Sequence, residues 1–396
     1  MKRTSRDIRR GNRNEVLRHV IASSPVSRQE LAAVTGLSLA TVANLVGELL
    51  DRGVLVEVGY EDSEGGRPRG LIAMRAGGGA LIGVDVGELR VDVELFDLEL
   101  RTLDRAVEPL TSDDLQPEQV VRRIVSGVRT VLERARIAPS LVLGVGVSML
   151  GLVEREGSLS VYAPNWNWHD VRLRELLAAR LEFPIYLDSQ LMASTVAELW
   201  FGAARGCQDV VVVTLGKGVG AGIAIGGTLY RGATNTAGEW GHSLLELDGR
   251  ACKCGAMGCV ETYVGAPGII KTLRDIDPDS PMLLEDCFDT IDALARALSK
   301  GDPVAVETVR RTARYLGVAV GSLINLLNPQ VIVLSNWVAT RLADALLSGM
   351  REAIAEHALP RPLESTRIML CPIPNNPVSL GAATFALEGA LAWVRP

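Results

Sequence analysis

Leu81-Ile-Gly-Val-Asp85-Val-Gly87 is an apolar run that ends in Asp-x-Gly. A short apolar run closed by glycine reads as a buried strand entering a tight turn. After it, Arg90–Leu95 alternates, with Val91, Val93 and Leu95 on one face, so it is expected to return as an antiparallel strand. The layout recurs at Val210-Val-Val-Val-Thr-Leu-Gly216-Lys-Gly218-Val-Gly220, with Ala221–Ile225 as the return strand. A strand–turn–strand unit present twice predicts two similar α/β lobes with a cleft between them. One glycine turn is equally a plain tight turn. Two in register carry more weight, because glycine amides unshadowed by side chains can bend around phosphates.

The actin-like ATPase (ribonuclease H-like) architecture fits such a pair, and the chain is long enough for more. Its 396 residues, 47% hydrophobic and 22% charged, predict two or three domains and exclude a disordered chain. Leu141–Val153 is among the longest apolar runs and holds three glycines, short of the ~18–20 residues of a membrane span. The basic N-terminus lacks the apolar segment of a signal peptide. A cytoplasmic protein without membrane contact is expected. Six cysteines make no disulfide scaffold in a chain this long, and three of them crowd into Cys252–Cys259, which points to metal.

Charge is uneven. The whole chain carries −6, yet residues 1–28 hold eight Lys or Arg against Asp7 and Glu15. That suits a phosphate backbone or, equally, a solvated basic arm. The following residues separate the two. Val16, Leu17, Val20 and Ile21 give Asn12–Ser23 an amphipathic helix. Ser27-Arg28-Gln29-Glu30 is a capping box opening a short helix that stops near Gly36. Ser38 caps a third helix, about Leu39–Arg52, with Val42, Leu45, Val46 and Leu49 inward and Thr41, Asn44 and Glu48 outward. Helix, glycine turn, helix is the helix-turn-helix pattern, whose second helix enters the major groove. Asn44 suits an adenine edge, and Thr41 a phosphate or thymine methyl. Gly53–Val58 and Leu71–Met74 are expected to form a β-ribbon wing, with Glu64-Gly-Gly-Arg67-Pro-Arg69 between them. Arg67, held beside proline, fits a narrow minor groove; otherwise it is an exposed turn residue. Arg28, Ser38, Thr41, Asn44, Arg67 and Arg69 are therefore the candidate DNA contacts. A small helical interaction domain is the plainer alternative.

His242, Cys252, Cys254 and Cys259 supply one imidazole and three thiols. That set suits a closed, tetrahedral, structural zinc, and Gly255 and Gly258 permit the sharp turns it needs. Free buried cysteines are the alternative. Cys207, Cys287 and Cys371 are isolated and read as packing residues.

Glu239-Trp-Gly-His242, followed by Cys252-Lys-Cys-Gly-Ala-Met-Gly-Cys259-Val-Glu261, resembles the ROK family, which groups bacterial repressors with sugar kinases. The likeness runs over nearly the whole chain and includes the Gly-Gly-Arg-Pro of the repressor wing. It implies that Asn165, Glu239, His242 and Glu261 contact sugar hydroxyls. Carboxylates accept from hydroxyls, and an imidazole bound to zinc by one nitrogen presents the other. Orienting the metal loop by hydrogen bonds, without touching a sugar, is the alternative for the two glutamates.

The resemblance also exposes departures. The Asn-Asp pair of the family kinases, whose Asp deprotonates the attacked hydroxyl, falls on Ser189-Gln190, and the next family Asn falls on Met192. Gln190 can hydrogen-bond a hydroxyl but takes no proton from it; losing a general base costs ~10²–10⁴ in rate. Asp188 stands one residue off, with its side chain expected to turn the other way. Glu88-Leu-Arg90 replaces Gly-Thr-Lys, Lys217 replaces the Thr of Gly-Thr-Gly, and Ser335-Asn336 replaces the Gly-Gly that admits adenosine.

The expected protein is a ROK-type regulator, a repressor, with a catalytically dead kinase-like sensor. Residues 1–75 would be the winged helix. Residues 76–190 would be the first lobe, with a C-terminal helix of about 381–396 packed back on it, and 191–380 the second. Its partners would be palindromic operator DNA and a small effector, a sugar or sugar derivative, and its assembly a homodimer or homotetramer. An active ATP-dependent sugar kinase with a fused DNA-binding domain, and a DNA-binding protein whose kinase-like part is a dimerisation scaffold, are the alternatives.

Overall fold

The computed structural model describes residues 4–61, 68–111, 114–156, 158–163 and 166–392. Arg67 and Asn165 lie outside the described residues. The chain forms two compact units, one of residues 1–193 with 376–396 and one of residues 194–375.

The first unit opens with α1 (Ser5–Ser23), which starts seven residues ahead of its amphipathic stretch and buries Val16, Leu17 and Val20. β1 (Val26–Ser27) leads into α2 (Arg28–Thr35). The capping box forms: the Ser27 N–H donates to Glu30 Oε2 (2.7 Å), and the Glu30 N–H donates to Ser27 Oγ (3.3 Å). Gly36, at φ 67°, ends the helix in the left-handed region that glycine tolerates. Ser38 Oγ accepts from the Thr41 N–H and opens α3 (Leu39–Asp51). Val42, Leu45, Val46 and Leu49 are buried, each worth roughly 1.5–3 kcal/mol relative to exposure. Glu48 departs from expectation. It turns toward α1, where its Oε1 accepts from Arg9 at 2.7 Å and its Oε2 lies 3.7 Å from Arg13. β2 (Leu55–Tyr60) and β3 (Gly70–Met74) pair antiparallel as the wing, and β1 adds a third strand to β3. Two residues are too few to show a period, so β1 had no signal in the sequence.

The strand at Leu81 is β4 (Ala80–Val86), and β5 (Arg90–Asp97) returns antiparallel to it in full register. β6 (Thr102–Pro109) extends the hairpin. After α4 (Pro117–Ala135), β7 (Val142–Met149) pairs parallel to β4. β8 (Leu152–Glu156), β9 (Ser158–Ala163) and β10 (Trp168–Val171) make a small antiparallel sheet. α5 (Leu173–Ala178) precedes β11 (Ile185–Ser189), which completes the main sheet in the order β11-β7-β4-β5-β6. β4 is apolar except for Asp85 because both faces are covered. The C-terminal helix, Pro377–Ala392, covers one of them. A Cβ on Gly83 would lie 1.9 Å from the Ser379 carbonyl oxygen, and one on Gly146 1.8 Å from that of Ala382. The helix backbone therefore rests directly on β4 and β7.

α6 (Gln190–Phe201) leads into the second unit, which repeats the plan. β12 (Val210–Leu215) and β13 (Val219–Ile225) form the glycine hairpin, extended by β14 (Thr228–Leu229). α7 (Glu261–Val264), α8 (Ala266–Ile276), α9 (Cys287–Ser299) and α10 (Pro303–Leu327) follow. β15 (Val331–Ser335) runs parallel to β12, and after α11 (Trp337–His357) and α12 (Pro360–Ser365), β16 (Arg367–Leu370) runs parallel to β15. The order β14-β13-β12-β15-β16 is the same hairpin-plus-parallel scheme as in the first unit. α10 is a core helix along one face: Gly317 lets the backbone of α11 approach so closely that a Cβ would meet Met350 O at 2.7 Å.

Candidate functional site

The His/Cys cluster is formed within the second unit. His242 closes the single 3₁₀ turn Trp240–His242, and the bridges Leu244↔Cys259 and Ala251↔Met257 fold the loop back on it. Gly255 (φ 92°) and Gly258 (φ 73°) make the turns, and a Cβ on Gly258 would strike Glu246 O at 1.7 Å. One donor atom from each of His242, Cys252, Cys254 and Cys259 lies within 4.8 Å of all the others. His242 Nδ1 is 3.6 Å from Cys252 Sγ, and Cys254 Sγ is 3.7 Å from Cys259 Sγ. Bonds of ~2.3 Å around a tetrahedral ion place ligands at about this separation. Burial pushes the Cys252 thiol up and the Cys259 thiol to about 12, whereas the Ala256 N–H lowers Cys254 to about 7. A cation is what would hold all three as thiolates. The donor set thus fits a metal ion.

The other imidazole nitrogen points elsewhere: His242 Nε2 is 3.9 Å from Glu239 Oε2. Desolvation raises the Glu239 carboxyl, His242 opposes this, and the charge of Glu261 adds to it. Glu261, at the start of α7, accepts the Val219 N–H at 2.9 Å. It therefore ties the metal loop to the glycine turn between β12 and β13. Arg250 escaped the sequence reading. Its guanidinium donates to Thr262 O and Gly268 O and lies over the Tyr263 ring at 4.7 Å, anchoring the loop to α8. An arginine between His242 and Cys252 was its only hint.

In the first unit, Gln190 Nε2 donates to Asp85 Oδ1 and to Val86 O. Asn376 Nδ2 donates to Asp85 Oδ2 at 2.8 Å. Burial is the main cause that lifts the Asp85 carboxyl to about 6, against the help of both amides. Ser189 Oγ accepts the Met192 N–H (3.3 Å), and Asp188 Oδ1 accepts the Ser189 N–H (2.9 Å). Asn376 had no signature in the sequence.

On the winged helix, Asn44 is exposed and Thr41 is half-buried, hydrogen-bonded to the exposed Ser38. Two of the candidate DNA contacts already have carboxylate partners: Arg28 with Glu57 at 2.9 Å and Arg69 with Glu61 at 3.7 Å. Exposed pairs of this kind are worth ~0–1 kcal/mol, so phosphate could displace the glutamates.

Comparison with known proteins places these features. The ROK family profile matches residues 81–388. The chain belongs to the ROK family. The xylose repressor of Caldicellulosiruptor bescii is 26% identical over 387 residues, 96% of each chain. The DNA-binding transcriptional dual regulator NagC of Escherichia coli K12 is 28% identical over 351 residues, 88% of this chain and 85% of that one. Among solved structures, a ROK family transcriptional regulator described as a homolog of the E. coli MLC protein superposes with a TM-score of 0.80, covering 97% of this chain and 98% of its own at 23% identity. A ROK family glucokinase from Streptomyces griseus, solved with glucose and AMPPNP, gives 0.68 and 25% identity over 78% of this chain and all of its own.

The glycine turn between β12 and β13 is crowded by side chains. Asn336, at φ 78°, caps α11 through its own side chain. Its amide and the Trp337 indole nitrogen are so close to Gly216 that a Cβ there would meet each at 3.2 Å. Trp337 stacks on Phe288 with centroids 4.3 Å apart, and Lys217 Nζ lies over the same Phe288 ring at 5.3 Å. Side chains thus occupy the space beside the glycine turn. No single helix among the described residues is long and apolar enough to cross a membrane.

Proposed function

We propose that this protein is a ROK-type transcriptional repressor that binds an operator duplex through its winged helix and responds to a sugar without phosphorylating it. The observation that carries this is the state of Gln190. An amide stands where the family kinases carry their base, and both its donor contacts are spent on Asp85 and Val86. The aromatic filling beside Gly216 supports the same reading from the nucleotide side. Names of relatives point to a monosaccharide effector: xylose or N-acetylglucosamine.

Glu239, Glu261 and His242 would receive the sugar hydroxyls. Glu239 is the stronger candidate of the two carboxylates, because one oxygen of Glu261 already accepts from Val219. His242, Cys252, Cys254 and Cys259 would hold one zinc ion, a closed crosslink with no open coordination position. Its part is to fix the His242 ring so that Nε2 faces the sugar. Asn44 would read a base edge, with Ser38, Thr41, Arg28, Arg67 and Arg69 on the backbone and minor groove. Bound sugar would favour a conformer with lower operator affinity, shifting populations across a homodimer or homotetramer on a palindromic site.

The test uses a duplex selected by the wild-type chain from a randomised pool. Xylose, glucose and N-acetylglucosamine are titrated against it by fluorescence anisotropy, and ADP release is followed with each sugar plus ATP. One sugar is expected to weaken binding tenfold or more with no ADP formed. Robust ADP production that Gln190→Ala abolishes would establish a kinase instead; specific duplex binding that no sugar alters would establish a scaffold. Asn44→Ala is expected to weaken binding about tenfold, the ~1–3 kcal/mol of a bidentate base contact, and unchanged affinity rejects its base-reading role.

A further inference from the structure

The C-terminal helix is tied at both ends by side chains from distant parts of the first unit. At its start, Asn376 Oδ1 accepts the N–H groups of Val378 (2.9 Å) and Ser379 (3.3 Å), capping the helix. The same side chain donates to Asp85, which also receives Gln190. At its end, Arg13 Nη1 and Arg52 Nη1 both donate to Leu391 O, and Arg52 Nη2 donates to Ala390 O at 2.9 Å. Arg13 lies on α1 and is buried (3% exposed); Arg52 is the residue that ends α3. The last carbonyls of a helix lack intrahelical partners and carry partial negative charge, so guanidinium groups are well suited to them.

Between the two ends the helix has little freedom. Gly83, Gly146 and Gly381 each admit backbone so close that a Cβ would lie 1.9, 1.8 and 1.9 Å from the facing carbonyl oxygen. The helix can therefore shift on the sheet as one rod far more easily than it can bend. The covalent connection from the wing to β4 is a second link: a 3₁₀ turn, Ala76–Gly78, whose Ala76 carbonyl accepts the Leu98 N–H at 3.3 Å.

We propose that Arg13 and Arg52 are positioning residues that latch the DNA-reading helix to the end of this rod, so that a change at Asp85, Gln190 and Asn376 alters operator affinity. This rests on the regulator reading above. It assigns the route within the first unit: the Asp85 cluster moves the rod, and the rod moves α1 and α3 through two guanidinium groups.

The experiment is a double-mutant cycle on the full chain. Asn376→Asp keeps the capping oxygen, removes the donor to Asp85 and sets a second negative charge beside it. On a duplex selected as above, Asn376→Asp is expected to change Kd about tenfold, within the 5–150-fold range of allosteric couplings. In the Arg13→Met/Arg52→Met background the same substitution is expected to change Kd less than twofold. Should the buried Arg13 variant fold poorly, Arg52→Met alone, at an exposed position, serves with a partial loss of coupling. Hydrogen exchange provides a readout free of DNA: α1 and α3 amides should exchange at least tenfold faster in the arginine variant while β4 and β7 are unchanged. An Asn376→Asp effect of equal size in both backgrounds overturns the latch, as does unaltered exchange in α1 and α3. Failure to select any duplex, with the exchange result as expected, rejects the regulator reading and leaves the latch supported.

Discussion

Cys259→Ser is expected to abolish metal binding and to lower the melting temperature of the second unit by about 10 °C. Cys259 is the most enclosed of the four ligands, at 1% exposure, and its residue also pairs with Leu244 in the bridge that folds the loop back. On the proposed zinc centre, removing one thiolate leaves three donors around an ion that structural sites bind with four. The loop then loses its crosslink, and with it the hold on His242 and the geometry around Glu261. A loss of roughly 3 kcal/mol corresponds to ~6–12 °C for a unit of this size. The measurements are zinc per chain by plasma emission and unfolding by calorimetry. Cys207→Ser is the control, since Cys207 is also buried but stands outside the cluster; it should keep its zinc. Full zinc occupancy in Cys259→Ser would show that this thiol is not a ligand.

Gly146→Val is expected to cost at least ~3 kcal/mol and to release the C-terminal helix. The added Cβ would lie 1.8 Å from Ala382 O and 2.4 Å from its carbonyl carbon. Both are main-chain atoms of a helix packed along its length, so no side-chain rotation relieves the clash. Overpacking of this sort usually costs ~1–3 kcal/mol where neighbours can yield, and more where they cannot. Undocking would expose Phe385, Leu387 and Leu391, which are buried in the folded unit. Denaturant unfolding and the protease sensitivity of residues beyond Asn376 are the readouts. Gly47→Val gives the contrast: a Cβ there would meet nothing within 4 Å. Equal stability losses in the two variants would mean that the backbone contact at Gly146 is not the source of strain.

Much of the architecture could be read from local pattern. The capping box at Ser27 and Glu30, the stop at Gly36, the inward face of α3 and both glycine hairpins depend on residues within a few positions of each other. The His/Cys cluster was equally legible, because its ligand types and spacing already specify a chelate. Glu48 was misplaced for a related reason. Helical period puts it on the outer side of α3, but α1 crosses there and brings Arg9 and Arg13 to it. The buried Asp92 and Glu94 tell the same story: alternation on β5 suggests one apolar face, yet both faces are covered, and Arg105 meets the two carboxylates.

Sequence alone pointed to the family, the duplicated strand hairpins, the winged helix and the His/Cys cluster, since each is written in short-range spacing or in a dense motif. Tertiary structure alone showed that Gln190 is spent on Asp85, that Asn376 joins them, that Trp337 crowds Gly216, and that Arg13 and Arg52 reach the last carbonyls of the chain's final helix. Those contacts join residues about 100 to nearly 400 positions apart, where neither period nor spacing leaves a trace. They exist because packing two covered sheets brings polar groups out of water, and each such group must find a partner wherever the fold puts one.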